Sequence, residues 1–231
     1  MPKNLIATPI LDYRNSEVRA VSDQIVPDRY SSREIVQEAH RRLLAELRPV
    51  YSVRELQSAS QTLRAKQGSC SQRMACLEAI ARACGVGTRV HALWVDRRFW
   101  YPRFGWLRPL IPRRILLVWP QFFTENGWLD FDELYDSIRG LVSAAPQAFT
   151  NDGESLFEAV RHTPVDLFGK SCASGEACSA DLSRFVVASE GLFDTRDEVF
   201  AKFGSIENTI RGKAFEVLFG GRSIVPFVRT Q

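Results

Sequence analysis

The chain of 231 residues lacks any apolar run near the roughly 20 residues that a helix needs to cross a bilayer. Its first ten residues carry one lysine and too short an apolar stretch for a secretory leader. No membrane span and a cytoplasmic location are expected. Histidine occurs only at His40, His91 and His162, and cysteine only at Cys70, Cys76, Cys84, Cys172 and Cys178, with no two cysteines separated by two residues. That scatter offers little to zinc, and an odd cysteine count in a chain of this size argues against a disulfide framework. Reduced thiols, no metal and no cofactor are expected. Lysine is scarce, five of the 30 basic residues, and the net charge of +3 is too small by itself to indicate nucleic-acid binding. No Pro-, Gly- or Ser-rich linker divides the chain, so a single domain over residues 1–231 is expected, large enough for one substantial core. Its 45% apolar and 25% charged residues are the balance of a soluble globular protein.

What the chain does have is one well-placed cysteine. In Gln67-Gly68-Ser69-Cys70-Ser71-Gln72, Cys70 stands between a glycine and the first turn of an amphipathic helix whose apolar positions include Leu77, Ala81 and Cys84, and which Gly85 would stop. Unpaired N–H groups at a helix start favour thiolate over thiol, and cysteines so placed titrate roughly one to several units below about 8.5. Cys70 is therefore the candidate nucleophile. The alternative is a small residue at a tight turn.

Upstream, 16–25 and 32–47 read as helices, the second opening on Ser31 and Glu34 at capping-box spacing, and a further helix near 58–66 leads to Cys70. His40, between charged neighbours on the second helix, is given no role. Residues 89–95 and 115–123 are rich in β-branched and aromatic side chains and read as strands, with Asn126-Gly127 turning into 128–131. The C-terminal third reads as a loop over 168–181, holding Cys172 and Cys178, followed by helices at 195–203 and 206–219.

The segments Gly68-Ser69-Cys70, Ala79-Ile80-Ala81-Arg82-Ala83-Cys84-Gly85-Val86-Gly87-Thr88-Arg89-Val90 and Trp119 through Trp128 resemble the transglutaminase-like superfamily. Leu11-Asp12-Tyr13 and Glu154-Ser155-Leu156-Phe157 are similar to a bacterial, single-domain branch of it. The resemblance implies an α+β, papain-like fold in which N-terminal helices and a cysteine-bearing helix pack on a small antiparallel sheet. The core would span about 56–132 and a C-terminal extension about 146–231. It also implies acyl transfer through a cysteine thioester, giving amide hydrolysis or, with an amine acceptor, amide formation. Aligned on Trp119 and Trp128, Leu117 occupies the place of the family's histidine, and leucine accepts no proton. Loss of that acid–base group removes a contribution of about 10² to 10⁴ in rate. The family's aspartate falls on Asp130 or Asp132. His91, on the preceding strand, is the candidate replacement base, with a half-buried strand histidine as the alternative.

Between the two strands, residues 97–114 hold six arginines among Phe99, Trp100, Tyr101, Phe104 and Trp106, with Pro102, Pro109 and Pro112. Prolines disfavour regular structure, so a rigid flap beside the cleft is expected. Arg97, Arg98, Arg103, Trp106 and Arg108, with Trp119, form the candidate substrate-contacting set. Guanidinium groups suit phosphate and carboxylate, which points to an anionic partner: an acyl donor such as a phosphopantetheine thioester, coenzyme A thioester or carrier protein, a nucleic acid, or an acidic membrane surface. The alternative is a hairpin whose aromatics fill the core and whose arginines meet solvent. Two functions lead, cysteine-dependent acyl transfer with an atypical triad and a catalytically impaired relative acting as a binding or scaffold protein; a third, nucleic-acid binding through the arginine flap, is disfavoured by the small net charge and the lack of a nucleic-acid motif.

Overall fold

In the computed structural model, residues 2–25, 30–104, 108–109, 111–136, 149–163, 165–170 and 181–223 are described. The chain opens with α1 (Ser16–Ser22) and α2 (Ser32–Glu46). Ser31 and Glu34 form the expected capping box, exchanging side-chain and backbone hydrogen bonds at the start of α2. A two-residue strand, β1 (Arg48–Pro49), lies parallel to β2 (Gln67–Gly68), and α3 (Ala59–Ala65) sits between them in sequence. This pairing fixes the approach of the chain to α4 (Cys70–Ala83).

Helix α4 is the centre of the molecule. Met74, Ala75, Cys76, Leu77, Ala79, Ile80 and Ala81 are all buried, so the helix is covered on every side along its length, as an internal helix must be. It packs against α1, α2 and α3 and, across from them, against β4 (Arg114–Thr124). The sheet has the order β5-β4-β3-β6 and is antiparallel throughout, with β3 spanning Thr88–Asp96, β5 Gly127–Asp130 and β6 Val186–Phe193. Gly127 takes φ +99 in the β4–β5 turn, a conformation that needs glycine. The expected α+β architecture, a cysteine-bearing helix on an antiparallel sheet, is the one observed.

Strand β6 goes beyond the sequence reading. It joins the sheet from the C-terminal third, with Val90 opposite Phe193 and Trp94 opposite Ala188. Its exposed Val187 and Leu192 alternate poorly with its partly buried positions, which is why its periodicity gives no clear strand signal. After β3 the flap forms a short 3-10 turn, Arg97–Trp100, and one helical turn, α5 (Tyr101–Phe104). The remaining elements are α6 (Leu156–Ala159), α7 (Arg196–Phe203) and α8 (Ile210–Phe219). Trp106, Cys172 and Cys178 lie outside the described residues. Among the described residues no helix is long and apolar enough to cross a membrane.

Candidate active site

Cys70 is the first residue of α4, and three neighbours set its position. Gly68 provides room rather than flexibility: a Cβ there would lie 2.8 Å from Thr62 Cγ2 and 3.3 Å from Arg73 Cγ. Ser69 caps the helix, its hydroxyl accepting from the Gln72 N–H, while Gln72 Oε1 accepts from the Ser69 N–H at 2.8 Å. Ser71 donates to Glu55 and accepts from Arg196 Nη1 at 3.1 Å. Arg196 is itself held by buried Glu78 of α4, Nε to Oε1 2.6 Å, and by the Val118 carbonyl at 3.1 Å. The helix start is thus clamped from the α3 side and from α7.

On the other flank, Arg73 is 1% exposed and pairs with Glu158 of α6. Its Nη2 donates to the Ser155 hydroxyl at 3.0 Å, and that hydroxyl in turn donates to Glu158. Burial pushes the Cys70 thiol above its ordinary value. The Arg73 charge works against that rise, Glu158 adds to it, and the Ser155 hydroxyl and Phe157 N–H oppose it. The depressed thiolate expected from the helix start is therefore corrected. Although Cys70 is only partly buried, desolvation by the surrounding apolar wall outweighs the Arg73 cation.

Cys70 stands in the wall of a cavity of about 430 Å³, a size typical of small-molecule sites. Apolar groups dominate the wall: Leu116, Leu117 and Val118 of β4, Trp100 and Phe104 of the flap, and Phe215 of α8. Tyr51, Glu55, Ser71, Arg103 and Ser155 supply polar groups. Leu117, aligned with the family's histidine, thus shares this wall with Cys70.

His91 does not. The β3–β4 register sets Leu93, not His91, opposite Leu117, and His91 lies opposite Trp119. Its Nε2 is 3.0 Å from Gln121 Nε2 and 3.8 Å from Asp130 Oδ1, its ring packs on Phe168 at 4.8 Å, and it is absent from the cavity wall. Burial lowers the His91 imidazole, against the Asp130 charge that raises it. Asp130 accepts from Gln121 Nε2 at 2.6 Å and from Lys170 Nζ at 2.5 Å. Buried Asp132 accepts from Trp119 Nε1 at 3.0 Å, and burial together with the Asp130 charge pushes its carboxyl up to about 7. His91, Asp130, Asp132 and Trp119 therefore gather around β3, β4 and β5, away from the Cys70 cavity. Trp119, 0% exposed, cannot touch a substrate from that position. His40 is also buried; Nε2 donates to the Phe157 carbonyl at 2.7 Å and Nδ1 pairs with the Tyr135 hydroxyl at 2.7 Å, so both ring nitrogens are committed.

The flap divides. Arg103 lines the cavity, whereas Arg97, Arg98 and Arg108 do not. Arg98 pairs with Asp96 at 2.8 Å, and Arg108 lies 4.7 Å over the Tyr101 ring, both exposed. Phe99 is buried in the core and, with Trp100 and Phe104, also lines the cavity. Sequence reasoning assigned no role to Arg73, Ser155, Glu158 or Glu55. Ser155 and Glu158 stand at capping-box spacing, a legible signal for a helix start, but their proximity to Cys70 depends on a contact over more than 80 residues.

A cysteine opening a central helix, packed against an antiparallel sheet beside an apolar cleft, defines an α+β protein built around a cysteine-bearing helix. The sequence profile described as the transglutaminase-like superfamily matches residues 17–133, more than half the chain, and the chain belongs to that family. No curated protein and no solved structure matches it.

Proposed function

We propose that the protein transfers acyl groups through Cys70, taking them from an activated thioester donor and passing them to an amine or to water. The observation that supports this best is the sulfur at the start of α4 in the cavity wall, with the Ser155 hydroxyl and Phe157 N–H acting on it. The Cys70 thiolate adds to the donor carbonyl, the carbon–sulfur bond to the donor breaks, and the departing thiolate takes up the proton that Cys70 released. Ser155, bonded to Glu158, offers that proton a route. Glu158 is a weak base: burial would raise it, but Arg73 and the Ser155 hydrogen bonds hold it below the usual carboxylate range. A thiol leaving group suits such a site because it needs no strong acid, unlike an amine. A raised thiol is scarce as thiolate at neutral pH but more nucleophilic once formed. Backbone N–H groups at the start of α4 would hold the oxyanion. Exposed Arg98 and Arg108 would meet the anionic part of a phosphopantetheine donor or carrier protein.

The test is intact-mass spectrometry after incubation with acyl-pantetheines of graded chain length. One acyl group on Cys70, released by hydroxylamine and missing in Cys70→Ser, is expected; no adduct with any donor would overturn the reading. A second reading, a binding or scaffold protein, is favoured by two observations: none of His40, His91 and His162 lines the cavity, and burial raises the thiol. It expects ligand binding without any adduct.

A further inference from the structure

We infer that the cavity beside Cys70 is a site for an amphiphilic acyl compound, an apolar chain held between the flap and α8 with its carbonyl or carboxylate head at Arg103. The inference names the substrate class of the acyl-transfer reading and rests on that reading only for the covalent step; binding of the free acid stands without it.

The walls and the head group are different in kind. Phe104 and Phe215 meet edge to face at 5.5 Å, and with Trp100, Leu116, Leu117 and Ile115 they leave about 430 Å³ with little polar surface facing in. Water in such a space forms few hydrogen bonds, and each methylene moved into it from solvent gains about fourfold in affinity. Arg103 and the exposed Arg211 bring positive charge to this wall, which also holds the Glu55 carboxyl, itself bonded by Ser71. Arg103 Nη2 donates to the Glu154 carbonyl and its guanidinium lies 6.0 Å from the Tyr51 ring, but its Nε, shielded from water, has no partner among the described residues. Burial lowers the Arg103 guanidinium, and Arg103 and Cys70 line the same cavity. Glu158 is already bound by Arg73. The Arg103 side chain lines the cavity, and a ligand carboxylate or polarised carbonyl there would meet its guanidinium in a charge-assisted hydrogen bond. Cys70 stands in the same cavity wall, within the space such a ligand would fill.

The experiment uses the full chain carrying Cys70→Ala, so that no covalent step intervenes, and measures hexanoate, octanoate and decanoate by calorimetry. Affinity is expected to rise about fourfold per methylene. Arg103→Met should weaken decanoate by roughly 10- to 100-fold and decanol far less, while Arg103→Lys recovers part of the loss. Arg64→Met, on an exposed face of α3, should leave both unchanged. Affinity without chain-length dependence, or equal losses of decanoate and decanol in Arg103→Met with an unchanged urea midpoint, would overturn the proposal. The wild-type chain with decanoyl-pantetheine separates the two readings and the two ligand sources. Tight decanoate binding without an adduct leaves this site standing and removes acyl transfer; an adduct formed equally from acetyl- and decanoyl-pantetheine does the reverse.

Discussion

Arg196→Met should be among the most damaging single substitutions in the molecule. Arg196 is 1% exposed and Glu78 0% exposed, and the two meet at 2.6 Å between α7 and the central helix. Arg196 also satisfies Ser71 next to Cys70 and the Val118 carbonyl of β4. Methionine fills a similar volume but leaves Glu78 buried without its cation, and breaking a buried pair in this way costs about 3–5 kcal/mol. For a chain of this size, about 2–4 °C per kcal/mol lowers the melting temperature by roughly 10 °C. The loss should depend on pH. Burial already raises the Glu78 carboxyl while Arg196 opposes that rise; removing Arg196 raises it further. A carboxyl whose folded value lies above its unfolded value binds protons more readily when folded, so its contribution is complete at low pH and is lost as pH rises through the folded value. The variant should therefore lie nearest wild type in acid and furthest from it in alkali. Urea unfolding at several pH values measures both effects. Replacing the pair together, Glu78→Leu with Arg196→Met, should recover much of the stability. A loss below about 1 kcal/mol at pH 8 for the single variant, on the scale of an ordinary surface substitution, would refute the assignment of Arg196 as Glu78's essential partner.

Asp132→Asn tests the second buried carboxyl. With the folded value pushed from 3.8 to about 7, wild type loses stability as pH rises through that interval, about three pH units at about 1.4 kcal/mol each, roughly 4 kcal/mol. The variant, which still accepts from Trp119, should match wild type near pH 4 and exceed it at pH 8; identical urea midpoints at pH 8 would contradict the raised carboxyl. Cys70 should alkylate slowly at neutral pH, with a midpoint above that of a free thiol but faster than Cys76, which burial pushes up to about 12. Mass-spectrometric mapping of iodoacetamide labelling against pH checks the order, and fast Cys70 labelling at pH 7 would contradict the raised thiol.

Much of the fold was legible because its signals are local. Ser31 with Glu34 and Asn126-Gly127 each mark a boundary through contacts only a few residues apart, and the helix and hairpin formed where these pointed. Strand β6 was not legible: its pairing to β3 draws on Val90 and Trp94, about 100 residues earlier, and its own alternation is weak.

The site divides along the same line. Local sequence determined that Cys70 opens a helix, because Gly68, the Ser69 cap and the apolar run after Met74 all lie within one or two turns of it. Only the tertiary structure decided what surrounds the sulfur. Packing against β4, the flap and α8 made it a desolvated thiol in an apolar cavity rather than an exposed thiolate. Strand register sent His91 to Gln121 and Asp130 instead of to Cys70, and a contact from α6 brought Ser155 and Glu158 in its place. Charge state depends on burial and on distant neighbours, and neither is a property of the residues adjacent along the chain.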